Sequence, residues 1–393
     1  MMKQLGRNLA AAIAICVIAA PAARADDGDA QDKGQNQYVV TPLTANLPNV
    51  APNTDPVLQN AWGVAFSPGA SPFWVADNAT GCSTLYDGAG VPAGGPPPLK
   101  VKIPLPGGAP SATSCQPVDP NANPPPTNAA PTGLVWNPTT TFLVPNTTTP
   151  ASFIFDTEDG TVSAWAGGLS PADQAVLAVD NSSNNSVYKG LVFGVNKHGV
   201  FLYATDFHNA RIDVFAPNGS NGFQPASSTQ IPGSFTDPDI PAGFAPFGIQ
   251  NINGDLFVTY ALQNSEMHDD VAGPGNGFVD IFDTDGNLLQ RFASRGALNS
   301  PWGVARASFA FGRFSGDILV GNFGNGKINA FDSRGRFLGT LRDRQGKPIA
   351  IDGLWTLTLG GGRNSSSDTL YFTAGPNDET NGLFGTITPA SKQ

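Results

Sequence analysis

Histidine, cysteine and glutamate are each nearly absent from this chain, whose 393 residues include three of each. The sequence also contains no GxSxG, HExxH or phosphate-binding P-loop motif. Extended apolar runs are scarce, because the only one, Leu9–Ala20, has 12 residues, well short of the roughly 20 that span a bilayer. These absences argue against a membrane span and leave few residues for metal or nucleophilic chemistry.

Glycine and proline, in contrast, are abundant, with 46 and 35 residues. Together they make up roughly a fifth of the chain, which is too much for a helical bundle. The 25 Phe are too many for a disordered chain. We therefore expect the body of the protein to be folded and rich in turns.

The first 25 residues have the organisation of a signal peptide. Lys3 and Arg7 precede the apolar run, and Ala23-Arg24-Ala25 then gives the small-x-small pattern of a secretory cleavage site. We expect cleavage after Ala25 and export to the periplasm or the extracellular space. Residues 26–36 are polar and charged, and we expect them to form a disordered leader.

The formal net charge is −10, and it becomes −13 once the three basic residues of the signal peptide are removed. Phosphate contacts require a basic surface, so this acidity argues against nucleic acid as a partner. Residues 291–363 differ, since they carry eleven Lys or Arg against four Asp, a charge of +7 that leaves −20 for the rest of the mature chain. This segment is either a set of solvated outer-strand side chains or a patch that docks an anion or a partner.

Two cysteines, Cys82 and Cys115, remain after cleavage. In an oxidising compartment an isolated pair of this kind predicts one disulfide. Neither has a nearby His or a CxxC spacing, so we do not expect a metal-binding or reactive thiol. The loop between them overlaps residues 88–131, which contain 13 Pro, and we interpret this segment as an insertion rather than as core.

A sixfold repeat organises the rest of the chain. Each copy begins with a glycine framed by apolar or aromatic residues, continues with a short apolar strand and a polar turn, and reaches a third strand that ends in a large apolar residue. The six glycines, spaced by 50 to 70 residues, are Gly63, Gly133, Gly190, Gly248, Gly303 and Gly353. Alternation with a period of two indicates β structure, and turn signals such as Asp285-Gly286 lead into a fourth strand.

Four strands per repeat, six times over, predict an all-β fold: a six-bladed β-propeller of four-stranded blades. It occupies residues 37–389 as a single domain, followed by a short tail at 390–393. The sixth repeat ends without a fourth strand, and Gln37–Leu43 can supply it. Such a join closes the ring and covers open strand edges. We expect a monomer.

The repeat motifs resemble those of NHL-repeat propellers, with Gly-Val/Ile-Ala entering a repeat and Gly-x-Ile-x-Val-Phe-Asp later in it. More narrowly, the opening residues 60–65 and 71–78 (NAWGVA and SPFWVADN) and the ending residues 382–387 (GLFGTI) resemble an uncharacterised family of secreted bacterial proteins. The resemblance covers nearly the whole mature chain and implies the propeller fold. It implies no catalytic residue, because NHL-type propellers include both binding proteins and enzymes.

The propeller geometry implied by this resemblance brings the starts of the innermost strands and the ends of the second strands to one face around the central channel. The residues that map there, and that we predict to bind a ligand, are Asn60, Trp62, Asp77, Asn78, Asp206, His208, Phe247, Asn264, Trp302, Asn322 and Asn377. Aromatic rings with amides and carboxylates suit a sugar or another small polar ligand. The alternative is that the three aromatic residues only pack between blades.

A metal site is a second interpretation of the same face. Asp77, Asp206, His208 and His268 are its candidate ligands, because two His with carboxylates suit a divalent cation and a metal-activated water. Such a cation is the only cofactor that the sequence suggests. Lactonase-type six-bladed propellers hold their metal with a Glu at the start of an innermost strand, where this chain has Asn60, and this departure weakens the analogy.

Two functions from different classes fit these residues. In the first, an exported propeller binds a small polar ligand, a glycan, a peptide or a protein through its channel face or basic segment, without catalysis. In the second, a hydrolase or lyase uses a cation in the channel to polarise a substrate carbonyl or activate a water. The second requires its four ligands to lie within about 2.0–2.5 Å of one point. We favour the first, and the sequence assigns no catalytic residue.

Overall fold

The computed structural model describes residues 35–69, 71–119, 121–124 and 126–391. The predicted signal peptide and nearly all of the predicted leader lie outside these residues. No helix within the described ranges is long and apolar enough to cross a membrane.

Twenty-five β-strands form six sheets, each of which is one blade. The chain begins with β1 (Tyr38–Ala45) and β2 (Asn53–Thr54). Blade 1 contains β3 (Ala61–Ala65), β4 (Phe73–Asp77), β5 (Cys82–Tyr86) and β6 (Lys100–Lys102). Blade 2 contains β7 (Pro131–Trp136), β8 (Phe153–Thr157), β9 (Thr161–Trp165) and β10 (Val176–Asp180). Blade 3 contains β11 (Tyr188–Asn196), β12 (Gly199–Asp206), β13 (Arg211–Pro217) and β14 (Phe223–Pro225).

Blade 4 contains β15 (Phe244–Ile252), β16 (Asp255–Leu262), β17 (Phe278–Phe282) and β18 (Leu288–Ser294). Blade 5 contains β19 (Pro301–Arg306), β20 (Ile318–Asn322), β21 (Ile328–Phe331) and β22 (Phe337–Thr340). Blade 6 contains β23 (Leu354–Leu359), β24 (Leu370–Ala374), β25 (Leu383–Pro389) and β1. Three short 3-10 helices, Ser182–Asn184, Gly312–Phe314 and Phe323–Asn325, complete the secondary structure of the described residues. The predicted six-bladed propeller is confirmed.

The second strand of each blade is sandwiched between the neighbouring blades. Every residue of β4, β8, β20 and β24 is buried, because both faces of these strands pack against other sheets. A strand covered on both faces is apolar along its whole length rather than at alternate positions. This is why the short apolar runs in the sequence mark the second strands.

The repeated glycine follows from the narrowness of the channel. The six innermost strands contact one another in a closed ring, β3, β7, β11, β15, β19 and β23, with β23 returning to β3. A Cβ on Gly63 would lie 2.5 Å from the carbonyl oxygen of Thr132 on the next blade, and a Cβ on Gly248 or Gly303 would collide in the same way with the next blade. Only glycine permits this close approach of neighbouring backbones.

The sixth glycine of the repeat is displaced from its predicted place. Leu354 pairs with Ala374 as Ala61 pairs with Asp77, so the position of Gly63 is taken in blade 6 by Thr356, not by Gly353. The hydroxyl of Thr356 donates a hydrogen bond of 2.8 Å to the carbonyl oxygen of Trp62 across the junction with blade 1. Gly353, with a φ of +63°, lies in the turn before β23.

The chain ends join in blade 6, as the sequence predicts. β1 pairs antiparallel with β25, from Tyr38 opposite Pro389 to Ala45 opposite Leu383. The ring of Tyr38 stacks on Phe311, and its hydroxyl donates a hydrogen bond of 3.0 Å to the carbonyl oxygen of that residue. The outer edge of blade 6 is thus also fixed to blade 5.

The proline-rich segment 88–131 contributes to blade 1. It contains β6, which pairs with β5, and the side chains of Val101 and Ile103 are fully buried. The predicted disulfide between Cys82 of β5 and Cys115 is present. The segment therefore supplies the outer strand of blade 1 before it loops back to blade 2.

Reduction of the disulfide is expected to lower the melting temperature. The bond closes a loop with a sequence separation of 33, and restricting such a loop in the unfolded chain stabilises the fold by about 3 kcal/mol. Melting curves with and without dithiothreitol measure the effect, and a Cys82→Ala/Cys115→Ala variant, which reductant does not affect, is the control. Superimposable curves for the untreated and reduced wild type would contradict the prediction.

Candidate functional site

Aromatic side chains fill the central channel at one end. One residue of each innermost strand immediately precedes the repeated glycine, or Thr356 in blade 6, and in four blades this residue is aromatic: Trp62, Phe247, Trp302 and Trp355. Trp62 stacks on Trp355 with 3.4 Å between ring centroids, and it makes edge contacts with Phe247 and Trp302. Blades 1, 4, 5 and 6 therefore meet across the axis, and these rings form the floor of the site.

Lys189 is the charged exception at this position. Its side chain is 2% exposed, and its Nζ lies 5.3 Å from the ring centroid of Trp62 and 5.8 Å from that of Phe207. The ammonium forms ion pairs with Glu158 of blade 2 and, at 3.4 Å, with Asp269 of blade 4. Burial alone would lower the pKa of Lys189, but the negative charges of its partners outweigh burial and raise it. Lys189 is therefore a charged group at neutral pH.

A chain of hydrogen bonds runs from Lys189 around the mouth of the channel. Asn78 Nδ2 donates to Glu158 (2.9 Å), and Asn60 Nδ2 donates to Asn78 Oδ1 (3.1 Å) and to Glu379 of blade 6 (2.5 Å). Asn60 Oδ1 accepts from Trp355 Nε1 (3.0 Å). The network thus joins blades 6, 1, 2, 3 and 4.

Blade 5 joins the network through its tryptophan, since Trp302 Nε1 donates a hydrogen bond of 2.8 Å to the carbonyl oxygen of Lys189. On blade 4, Asn264 Oδ1 accepts from the backbone N–H of His268 and so shapes the turn that carries His268 and Asp269. The side chains of His268 and Asp269 are hydrogen-bonded to each other, with 2.9 Å between Nδ1 and Oδ1. Five blades therefore contribute to one polar layer above the aromatic floor, and blade 5 is hydrogen-bonded to that layer through Trp302 of the floor.

The carboxyl groups of this layer have very different pKa values. The hydrogen bond with His268, helped by the charge of Lys189, lowers the pKa of Asp269 to about 2, and the same bond raises the pKa of His268. Burial, together with the negative charge of Glu158, raises the pKa of Glu379 to about 7. At neutral pH Asp269 is ionised while Glu379 is partly protonated, so one carboxyl accepts hydrogen bonds and the other both donates and accepts.

Several residues predicted for the channel face lie in or beside this layer. Asn60, Asn78 and His268 belong to the network, Trp62, Phe247 and Trp302 form the floor, and Asn264 and Asn377 support the loops that carry Asp269 and Glu379. His208 is half-buried, and its carbonyl oxygen accepts a hydrogen bond from Gln263. The aromatic residues pack against one another, and Trp62 also contacts the ammonium of Lys189. Their contact with a ligand stays a prediction.

Asp77, Asp206 and Asn322 lie outside the layer for one shared reason. Each is the last residue of a second strand, and its side chain is buried in or beside its own blade. Asp206, for example, accepts hydrogen bonds from Asn209 and forms an ion pair with Arg211. The residue immediately after the strand turns to the channel instead, because neighbouring residues of a strand face opposite sides.

The four residues predicted to bind a metal are not brought together. Among the described residues, the only group of at least three potential ligands within 4.8 Å of one another is Glu158, His268 and Asp269, which retains one of the four. Both carboxylates of this group are already paired with Lys189. A dication there would be repelled by the buried ammonium, so the donor set does not fit a metal while Lys189 is charged.

Four central residues of the layer escape sequence reasoning: Lys189, Glu158, Glu379 and Asp269. Two signals point to them. Lys189 is the only charged residue at a repeat position that is otherwise aromatic or Thr, and two of the three glutamates in a chain with 28 aspartates lie here. Within its own repeat Glu158 has the pattern of an ordinary Asp-Gly turn, because its partner Lys189 lies in another blade.

Comparisons with known proteins identify relatives of this chain. No family model matches it. An uncharacterized protein of Acanthamoeba polyphaga mimivirus is 32% identical over 351 residues, which are 88% of this chain and 78% of that protein. A second uncharacterized protein of the same virus is 30% identical over 358 residues, or 89% and 85% of the two chains. These relatives are viral, so the bacterial family suggested by the motifs has no support among them.

Solved structures with similar folds include two bacterial proteins. Virginiamycin B lyase from Staphylococcus aureus has a TM-score of 0.48 at 13% identity, over 90% of this chain and 100% of that one. A gluconolactonase from Xanthomonas campestris has a TM-score of 0.46 at 15% identity, over 85% and 88% of the two chains.

Replacing Lys189 is expected to destabilise the propeller. In Lys189→Met, Glu158 and Asp269 lose the positive charge between them, which should cost about 3 kcal/mol of unfolding free energy at pH 7 and less at pH 5, where carboxyl groups can be protonated. Denaturant unfolding at both pH values measures this. Lys197→Met, which removes an exposed lysine of the same blade, is the control, and equal losses in the two variants would contradict the assignment.

The raised pKa of Glu379 predicts a pH dependence of stability. The pKa is about 7 in the folded protein and close to 4.5 when the group is free, so the folded state favours the protonated form. The contribution of this group to stability is therefore fully present below pH 4.5 and is lost as the pH rises through 7. Glu379→Gln should lose this component of the pH profile, whereas an unchanged profile would refute the assignment.

Proposed function

We propose that this chain, which belongs to the same family as the uncharacterized mimivirus proteins, is an exported propeller whose channel mouth binds a small polar organic ligand. The observation that carries the proposal is the polar layer around Lys189, in which polar side chains from five blades converge above a floor of aromatic rings that includes Trp302 of the sixth. Concave sites with an aromatic base and a few convergent polar groups are the usual form of small-ligand sites.

The reachable groups of the layer indicate the chemistry of the ligand. Side chains of His268 and Asp269 are 43% and 61% exposed, and Trp302, which is hydrogen-bonded to the backbone of Lys189, is half-buried. Three carboxyl groups surround the single ammonium of Lys189, so hydrogen-bond acceptors predominate at the mouth. Ligands rich in hydroxyl or ammonium groups, such as sugars and amines, complement this surface, whereas anions do not.

Lys189 also favours binding over the metal-dependent alternative. It provides a fixed positive charge between Glu158 and Asp269, at the point where a metal would have to contact both carboxylates. The cluster of Glu158, His268 and Asp269 is the one observation that keeps a metal-dependent hydrolase or lyase as a second candidate function. The two functions differ in whether metal removal changes the protein.

Ligand titrations test the proposed function. Monosaccharides, amino sugars and short diamines are titrated while tryptophan fluorescence is recorded, because the half-buried Trp302 lies at the site and contacts the buried Trp62 and Trp355. Asp269→Asn should weaken binding of a responding compound about tenfold, equivalent to about 1.4 kcal/mol. Asp255→Asn is the matched control, since Asp255 is an exposed carboxylate at the start of β16, and the loop that carries Asp269 follows the other end of this strand. Absence of any response, or equal effects of the two substitutions, would overturn the proposal.

Metal content separates the two candidate functions. We expect purified protein to hold no stoichiometric metal, and its melting curve to be unchanged by a chelator. A metal present at one equivalent, whose removal lowers the melting temperature and which is absent from His268→Ala, would instead support the metal-dependent enzyme.

A further inference from the structure

A second cavity lies at the opposite end of the propeller, between blades 1 and 2. Its volume is about 490 Å³, and most of its lining comes from blades 1 and 2, at the ends of the innermost strands, at the starts of the second strands and in or after the third strands; Arg363 of blade 6 also lines it. The channel mouth, in contrast, is built where innermost strands begin and second strands end. The two sites are therefore on opposite faces of the ring, and this one is independent of the function proposed above.

Aromatic side chains form one wall of this cavity. Trp74 of blade 1 stacks on Phe153 of blade 2 with 4.2 Å between ring centroids, and it lies 4.8 Å from Trp165. Trp136, at the end of β7, also lines the cavity and is half-buried. The six tryptophans thus divide into three at the channel floor and three here.

Serines and glycines form much of the remaining lining, which also includes Pro72, Leu85 and Arg363. Ser67, Ser71 and Ser152 are half-buried and face the cavity, together with the glycines Gly94, Gly95 and Gly167. Chain neighbours aside, no atom of the described residues lies within 4 Å of where a Cβ on Gly167 would stand. The cavity is thus open beside Gly167, and small residues provide the room for a ligand.

We propose that this cavity binds a saccharide of one or two rings. A sugar ring offers an apolar face to indole rings and hydroxyl groups to serines, so it satisfies both walls at once. A purely apolar ligand would displace water from the hydroxyls of Ser67 and Ser152 without replacing its hydrogen bonds, at a cost in free energy. The volume lies within the range of about 300–1,000 Å³ that is typical of small-ligand sites.

Isothermal titration calorimetry with D-glucose, maltose, cellobiose and N,N′-diacetylchitobiose tests the proposal. We expect at least one of these saccharides to bind, and Gly167→Phe, whose ring fills the open space, to weaken that binding at least about tenfold. Val195→Phe is the matched control, because it adds a ring at a position that is 65% exposed on blade 3. Asp269→Asn, at the channel mouth, should leave this binding unchanged.

The outcomes separate the two sites. If Gly167→Phe does not reach the melting temperature of the wild type, Trp136→Ala replaces it as the variant that must lose affinity. Binding that is lost in Asp269→Asn but retained in Gly167→Phe would assign the saccharide to the channel mouth and overturn this proposal. It is also overturned if none of the four saccharides binds at millimolar concentration, or if only an apolar probe such as indole binds.

Discussion

A buried ammonium group must have negative partners, and the structure around Lys189 follows from that requirement. Its side chain is almost fully enclosed, so leaving it unpaired would cost several kcal/mol. Blades 2 and 4 provide Glu158 and Asp269, the amides of blade 1 hold Glu158, and a tryptophan of blade 5 binds the lysine backbone. The ammonium of Lys189 therefore holds in place the loops that carry its partners. Its charge also determines which ligands the channel mouth can bind.

The fold could be predicted from the sequence because its causes recur six times. Close approach of the innermost strands demands glycine, as at Gly63 and Gly303, and the sandwiched second strands demand continuous apolar residues. Blade 6 departs from the pattern, since Thr356 replaces the glycine and instead binds the backbone of blade 1. A pattern sought only as glycine selects Gly353, three residues too early.

The site was predictable only in part, because it depends on differences between repeats rather than on what they share. The positions of Asn60, Asn78 and His268 within their repeats predict that these residues lie at the channel mouth. For Asp77 and Asp206 the same reasoning selects the residue before the one whose side chain faces the channel. Such a shift exchanges the two sides of a strand. The ion pair between Lys189 and Glu158 joins two blades, and a motif within one repeat does not predict a contact between blades.

The closure of the ring in blade 6 also constrains how the chain reaches its native state. β1 and β25 pair residues that are 338 to 351 positions apart, so until β25 exists the only strand of the described residues that pairs with β1 is the two-residue strand β2. Contacts of such long range form slowly because a large loop must first be closed. Five blades consist of strands that are consecutive in the sequence. The sixth combines β1 with β23, β24 and β25, so it is completed only when the last of these strands is present. A protein shortened at its carboxyl end would lose β25 and expose both β1 and β24 as open edges.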